Sequence, residues 1–179
     1  MNLVLRRCDD RDRDLLHSLR DHTERWLVAH GWAEQADPHW SDRAHIAIDR
    51  LLDTGRFVAL CDTDWPLVVG ALSAPDMDFW TPDDELHSAW YIARMMTAQH
   101  GHGYGALLVE MIAVAAAASG RQFLRLDCMR ENTKLHDYYR SLGFRLVRIV
   151  DHPERKSGAL FARSLAGLVP TPWDAPPAQ

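Results

Sequence analysis

Lysine is nearly missing from this chain. Lys134 and Lys156 are the sole examples among 20 basic residues, set against 25 acidic ones and a net charge of −5. That balance argues against a broad nucleic-acid-binding surface. Cysteine is also sparse: Cys8, Cys61 and Cys128 are odd in number, widely spaced, and match neither a disulfide framework nor a zinc pattern. They read as reduced thiols of a cytosolic protein. No apolar run is long enough for a membrane span; the longest, residues 106–119, carries Glu110. The opening Met1 to Arg7 is too short and too soon charged for a signal peptide, so a cytoplasmic protein is expected. Global disorder is excluded by 47% hydrophobic and 25% charged residues. The 179 residues suit one domain, expected over 1–168, with a tail over 169–179 that holds four prolines.

What is present is an ordered series of short elements. Residues 2–7 alternate as a strand, and Asp9-Asp10 offers capping groups for a helix bearing Leu15, Leu16, Leu19, Trp26, Leu27 and Val28. A second helix opens near Pro38 and Ser41-Asp42 and stops at Gly55. Residues 56–62 and 67–73 predict an antiparallel hairpin about Asp62 to Pro66, and the acidic stretch 76–87 predicts a loop or ragged strand end. Strands are expected over 90–98, 121–128, 144–150 and 159–163, and helices over 105–119 and 132–142. The order is β-α-α-β-β-β-α-β-α-β-β, an α/β fold with a mixed, mostly antiparallel sheet and one βαβ unit.

Chemistry concentrates in that unit, at Gly101-His102-Gly103-Tyr104-Gly105. Glycines let a ligand approach the backbone and permit the positive φ of a tight turn. The helix that follows aims its unpaired N–H groups and the positive end of its dipole at the same turn, which suits phosphate or pyrophosphate. A dinucleotide-binding reading, with Asp127 as the ribose acid, meets two obstacles. The spacing is Gly-x-Gly-x-Gly, and only about fifty residues follow, with no further βα units.

Downstream, Asn132, Leu135 and Tyr138-Tyr139-Arg140-Ser141-Leu142-Gly143-Phe144 complete a second motif. Together with His100-Gly101-His102-Gly103-Tyr104-Gly105 it resembles the GNAT superfamily of acetyl-CoA-dependent N-acetyltransferases. The family's Gln/Arg-x-x-Gly-x-Gly/Ala signature maps onto His100, Gly103 and Gly105. Its later Asn and Tyr-x-x-x-Gly-Phe map onto Asn132, Tyr139, Gly143 and Phe144. The resemblance is direct over 90–150, and the element order extends it over most of the chain. It implies a GNAT fold, acetyl-CoA as co-substrate with no metal, and transfer of an acetyl or related acyl group to a primary amine through a tetrahedral intermediate. By the same resemblance the backbone of Met95, Met96 and Thr97 pairs with pantetheine, which lies like an added strand where strand 90–98 parts from strand 121–128. The N–H groups of Gly101, His102, Gly103, Tyr104, Gly105 and Ala106 receive the pyrophosphate, assisted by His100. Asn132 and Leu135 contact pantetheine, an N–H near Met95 stabilises the oxyanion, and Tyr139 protonates the leaving thiolate. One departure is plain: His100 stands where the family has Arg or Gln, and a neutral imidazole holds phosphate less well than a guanidinium. Gln99 is a partial substitute. A non-catalytic acyl-CoA-binding domain of the same fold is the alternative function.

Each residue also has a plainer reading. Tyr139 fits a core anchor, with Tyr138 as a rival phenol; Asn132 fits a helix N-cap, Gly143 a C-cap, and Met95 and Met96 core packing. No general base stands out, and Glu85, His87 and Glu131 are the nearest candidates. His100, His102 and His136 lack the carboxylate or cysteine that would complete a metal site. The acidic run Asp76, Asp78, Asp83, Asp84 and Glu85 reads as a solvated loop or as an attraction for a cationic acceptor. Trp26, Trp32, Trp40 and Trp80 fit either core or an aromatic wall for the acceptor. The acceptor, a small-molecule or peptide amine, is not named by these residues. The last two strands leave open a homodimer.

Overall fold

The computed structural model describes residues 3–31 and 38–168. Four helices, α1 (Arg13–Ala29), α2 (Pro38–Asp53), α3 (Tyr104–Ala118) and α4 (Thr133–Ser141), accompany seven strands. The strands are β1 (Leu3–Arg7), β2 (Phe57–Asp62), β3 (Trp65–Ser73), β4 (Ala89–Thr97), β5 (Phe123–Met129), β6 (Arg145–Ile149) and β7 (Ser157–Ser164). They form one sheet in the order β1-β2-β3-β4-β5-β7-β6. The β1/β2, β2/β3, β5/β7 and β6/β7 pairs are antiparallel, and β4/β5, bridged in sequence by α3, is parallel. This is the mixed, mostly antiparallel α/β fold expected. By contact the chain forms two compact units: the described parts of 1–71 with 94–108, and of 72–93 with 109–179.

In the first unit Asp9 and Asp12 build a capping box on the short 3-10 turn that leads into α1. Leu16 and Leu19 of α1 and Ala44, Ile48 and Leu52 of α2 supply helical stripes at three- and four-residue spacing. Leu16, Leu19, Ile48 and Leu52 meet Phe57, Ala59, Cys61, Val69, Ala71 and Met96 in one core. Burying each such large side chain contributes about 1.5–3 kcal/mol. The β2–β3 turn is tighter than expected. Asp62 pairs with Trp65, so Thr63 and Asp64 alone make the turn, with Thr63 at φ 57°. Pro66 therefore lies inside β3 opposite Cys61, at a register shift where its missing N–H is tolerated.

In the second unit the stretch expected as a loop folds into two 3-10 turns, Pro82–Asp84 and Leu86–Ser88. Phe79 and Trp80 from this segment pack with Ala89, Tyr91 and Leu160. Two arginines fasten it: Arg148 grips Asp84 with both terminal nitrogens at 2.7 and 2.6 Å, and Arg155 reaches Asp76 at 2.7 Å and Asp78 at 3.0 Å. Three of the five acids, Asp76, Asp78 and Asp84, are thus ion-paired, while Asp83 and Glu85 stay exposed as the solvated-loop reading expects. All three cysteines are buried and free, and no helix of the described residues is long and apolar enough to cross a membrane. Trp32, the Trp40 side chain and the proline-bearing tail from Val169 lie outside the described residues.

Candidate active site

Strand β4 carries a local distortion. Arg94, inside the strand, has φ 51°, a conformation that non-glycine residues seldom adopt. Beyond it the Met96 side chain enters the core of the first unit, while Met95 is half-buried, close to Gly70. Thr97 donates its hydroxyl to the Leu67 carbonyl at 2.8 Å and accepts from the Gln99 N–H at 3.1 Å, which fixes the end of the strand. The parallel β4–β5 ladder comprises Ala89↔Phe123, Trp90↔Leu124 and Tyr91↔Arg125 and ends there, although β5 runs on to Met129.

The glycine turn follows. Gly101 (φ 82°) and Gly103 (φ 78°) take the left-handed region, and both are exposed. Gly105 does not: it is the second residue of α3, so two glycines make the turn and the third begins the helix. The Leu107 N–H donates to the Gly103 carbonyl at 3.1 Å, and the preceding N–H groups of Tyr104, Gly105 and Ala106 stand at the helix mouth.

His100 turns toward α1. Its ring stacks on Trp26 with centroids 4.3 Å apart and on His22 at 5.6 Å, while Trp26 stacks on His30 at 4.1 Å. His22, Trp26 and His30 are four residues apart, so one face of α1 presents all three. The His100 Nε2 is buried without a hydrogen-bond partner. Burial, and then the neighbouring His22 and His30, hold its pKa below the usual imidazole range, which keeps it neutral near pH 7. His102 stacks instead on Tyr104 at 5.7 Å. His136 is committed elsewhere, with Nε2 on the Met129 carbonyl at 2.8 Å and its ring against Phe161. Among the described residues no cluster of three His, Cys, Asp or Glu could hold a metal ion.

In the second unit Asn132 is buried and caps α4, its Oδ1 accepting from the Leu135 N–H at 2.9 Å. The Tyr139 ring lies among Tyr138, Phe144 and Phe161. Burial, with smaller contributions from Cys128, Tyr138 and Asp127, pushes the Tyr139 phenol above its ordinary range, so it stays protonated. Burial also raises Tyr138. Of the base candidates, Glu85, His87 and Glu131 are all exposed.

Two charged residues lie on β5: Arg125, which the motifs do not mark, and Asp127, marked only in the dinucleotide reading. Arg125 is buried among Trp80, Phe123 and Tyr91, its guanidinium 5.1, 5.2 and 5.9 Å from their ring centres. It donates to the Tyr91 hydroxyl at 3.1 Å, and its Nε has no partner. Asp127, two residues on and so on the same face, is half-buried. Burial first, then the charge of Asp76, push its carboxyl above the usual range, opposed by Arg155 and by a hydrogen bond from Ser157. The visible signal was the alternation Phe-Leu-Arg-Leu-Asp-Cys-Met, which sets two charges on one face of a strand otherwise apolar.

Comparison with known proteins agrees with this geometry. Residues 14–144 match the model of the acetyltransferase (GNAT) family. No curated protein matches by sequence. A GNAT-family acetyltransferase of Listeria monocytogenes has a similar structure, with TM-score 0.68, 20% identity, and 90% of this chain and 94% of that one covered. The PaiA N-acetyltransferase of Thermoplasma acidophilum, in complex with coenzyme A, gives TM-score 0.69 at 14% identity, covering 92% and 99%. Aminoglycoside 6'-acetyltransferase type Ii gives 0.60 at 16%, covering 94% and 99%. At these identities the structures speak for the fold, while the family model spans most of the chain with both of its motifs inside. This chain belongs to the GNAT acetyltransferase family.

Proposed function

We propose that the chain is a cytoplasmic N-acyltransferase that moves an acetyl group from acetyl-CoA to a primary amine. The observation that carries this reading is the turn at Gly101 and Gly103, both in the left-handed region and opening directly onto the mouth of α3. Backbone N–H groups of residues 101–106 receive the pyrophosphate there, so binding does not depend on a charged side chain at position 100. The backbone of Met95, Met96 and Thr97 serves the pantetheine, as do Asn132 and Leu135. Asn132 keeps Nδ2 for this while its Oδ1 caps α4. Tyr139, held protonated, is the acid for the departing thiolate. Complexes of fold relatives with coenzyme A support the donor, as does the Salmonella typhimurium YncA structure with its cofactor acetyl-CoA.

One observation favours a second reading, acyl-CoA binding without turnover: His100 is stacked on Trp26 and lacks a phosphate-pairing charge. Release of CoA thiol from acetyl-CoA, followed in the presence and absence of a panel of primary amines, separates the two. Amine-dependent release supports acyl transfer. Tight acetyl-CoA binding with no release above the amine-free rate supports the second reading.

A further inference from the structure

An ammonium acceptor must lose a proton before it can attack a thioester, and the reading above leaves that proton without a destination. We infer that Asp127 is the general base of the reaction, on the opposite face of β5 from the Tyr139 acid.

Placement comes first. Arg125 is the last β5 residue laddered to β4, and Asp127 lies just past it, where β5 runs on without β4. Alternation along the strand points Asp127 and Arg125 to one face and Cys128 to the other. Phe161, the β7 residue opposite Leu126, lies against the Tyr139 ring, and Leu126 shares the Cys128 face, which puts that ring on the face opposite Asp127. A base on one face and an acid on the other suits addition and elimination through a tetrahedral intermediate, with the amine arriving from one side and the thiolate leaving toward the other.

Chemistry comes second. Arg155 acts on the Asp127 carboxyl but is already bound to Asp76 and Asp78. Arg125 is held under its three aromatic rings with the Tyr91 hydroxyl. The Ser157 hydroxyl donates a hydrogen bond to the Asp127 carboxyl, and the Asp127 backbone N–H gives another. The carboxylate thus shares Arg155 with Asp76 and Asp78, and it is half-buried beside the negative Asp76. Such surroundings raise proton affinity toward what an acceptor amine demands. By contrast Asp84, gripped by Arg148, is far too acidic for the task.

The step balances as follows. A carboxylate oxygen of Asp127 takes one proton from the ammonium nitrogen. The freed lone pair forms the N–C bond at the thioester carbonyl, whose π pair moves onto the oxygen; its return breaks the C–S bond, and the sulfur leaves with its electron pair to receive the Tyr139 proton. The second excess nitrogen proton passes to water as the amide forms, Asp127 gives its proton to solvent, and the Tyr139 phenolate takes one back.

This inference rests on the acyl-transfer reading, and its test keeps the two apart. Ethylamine is protonated at neutral pH, whereas trifluoroethylamine of nearly the same shape is neutral and needs no base. With both as acceptors and thiol release as the readout, Asp127→Asn should cost roughly 10²-fold or more on ethylamine. It should leave trifluoroethylamine within a few-fold, with acetyl-CoA affinity and melting temperature unchanged. A second variant, Ser157→Ala, keeps the carboxylate but removes the hydroxyl's hydrogen bond. It should move the acid limb of the ethylamine pH profile to higher pH. Equal losses on both amines, or an acid limb indifferent to Ser157→Ala, overturn the assignment. Failure of the unaltered protein to acylate either amine overturns the acyl-transfer reading itself, and this inference with it.

Discussion

The imidazole of His100 lies on the indole of Trp26, with ring centroids 4.3 Å apart and planes inclined by 14°. This stack joins the start of the glycine turn to α1 and excludes a proton from His100. Its pKa is depressed in the folded state, so the unfolded chain binds more protons below about pH 6.5 and stability falls as pH drops through that value. Melting temperature followed from pH 7.5 to pH 5.5 should decline. The decline should be shallower in His100→Gln, which has no such proton to gain. Identical slopes contradict the account.

Tyr139 is kept protonated by burial, as an acid for a thiolate must be. Tyr139→Phe should lower turnover by roughly 10²–10⁴-fold and leave acetyl-CoA affinity within about twofold, because the ring remains packed on Phe144 and Phe161. Steady-state kinetics with a titration of acetyl-CoA decides this. The same loss in Tyr138→Phe, with Tyr139→Phe active, transfers the role to its neighbour.

Arg148 and Asp84 form a two-point ion pair that anchors the segment before β4, and Arg148 also donates to the Phe79 carbonyl at 2.9 Å. The pairing holds the Asp84 carboxyl far below the usual range, so its contribution is present above about pH 4 and lost as the pH falls further. Asp84→Ala should cost about 1–2 kcal/mol at pH 7, discounted for the exposed part of Arg148, and modestly less at pH 3, where the folded-state carboxylate is still ionised. Urea unfolding at the two values measures the difference.

Burial pushes the Cys8 and Cys128 thiols up to about 12 and raises Cys61 in the same direction. None is a thiolate near neutrality. Ellman's reagent at pH 8 should therefore find no reactive protein thiol in the native state and three after unfolding. Rapid native reaction at any one of them contradicts its burial. The same result leaves thiol-release assays free of background from the protein.

The fold was readable because its elements carry redundant signals. The α1 and α2 stripes of Leu16, Leu19, Ile48 and Leu52 coincide with caps and with glycine stops, and β2 is almost uniformly apolar. Pattern failed where tertiary pairing overrides polarity. The Asp76–Ser88 segment reads as solvated because ten-residue windows do not show Arg148 and Arg155, which lie far along the chain and pair with three of its acids. The candidate site divides the same way. Gly101, Gly103, Asn132 and Tyr139 sit in local motifs and were legible. The orientation of His100 depends on the distant Trp26, and the proton affinity of Asp127 depends on the distant Asp76 and Ser157. Neither follows from spacing.

The most direct measurement is thermal unfolding of the intact protein alone and with saturating acetyl-CoA, CoA or NAD. A ligand at a hundred times its dissociation constant adds about 2.7 kcal/mol of stability, which raises the melting temperature by several degrees for a domain of this size. The account predicts that rise with acetyl-CoA and CoA and none with NAD. No shift with saturating acetyl-CoA, or a shift with NAD alone, contradicts it.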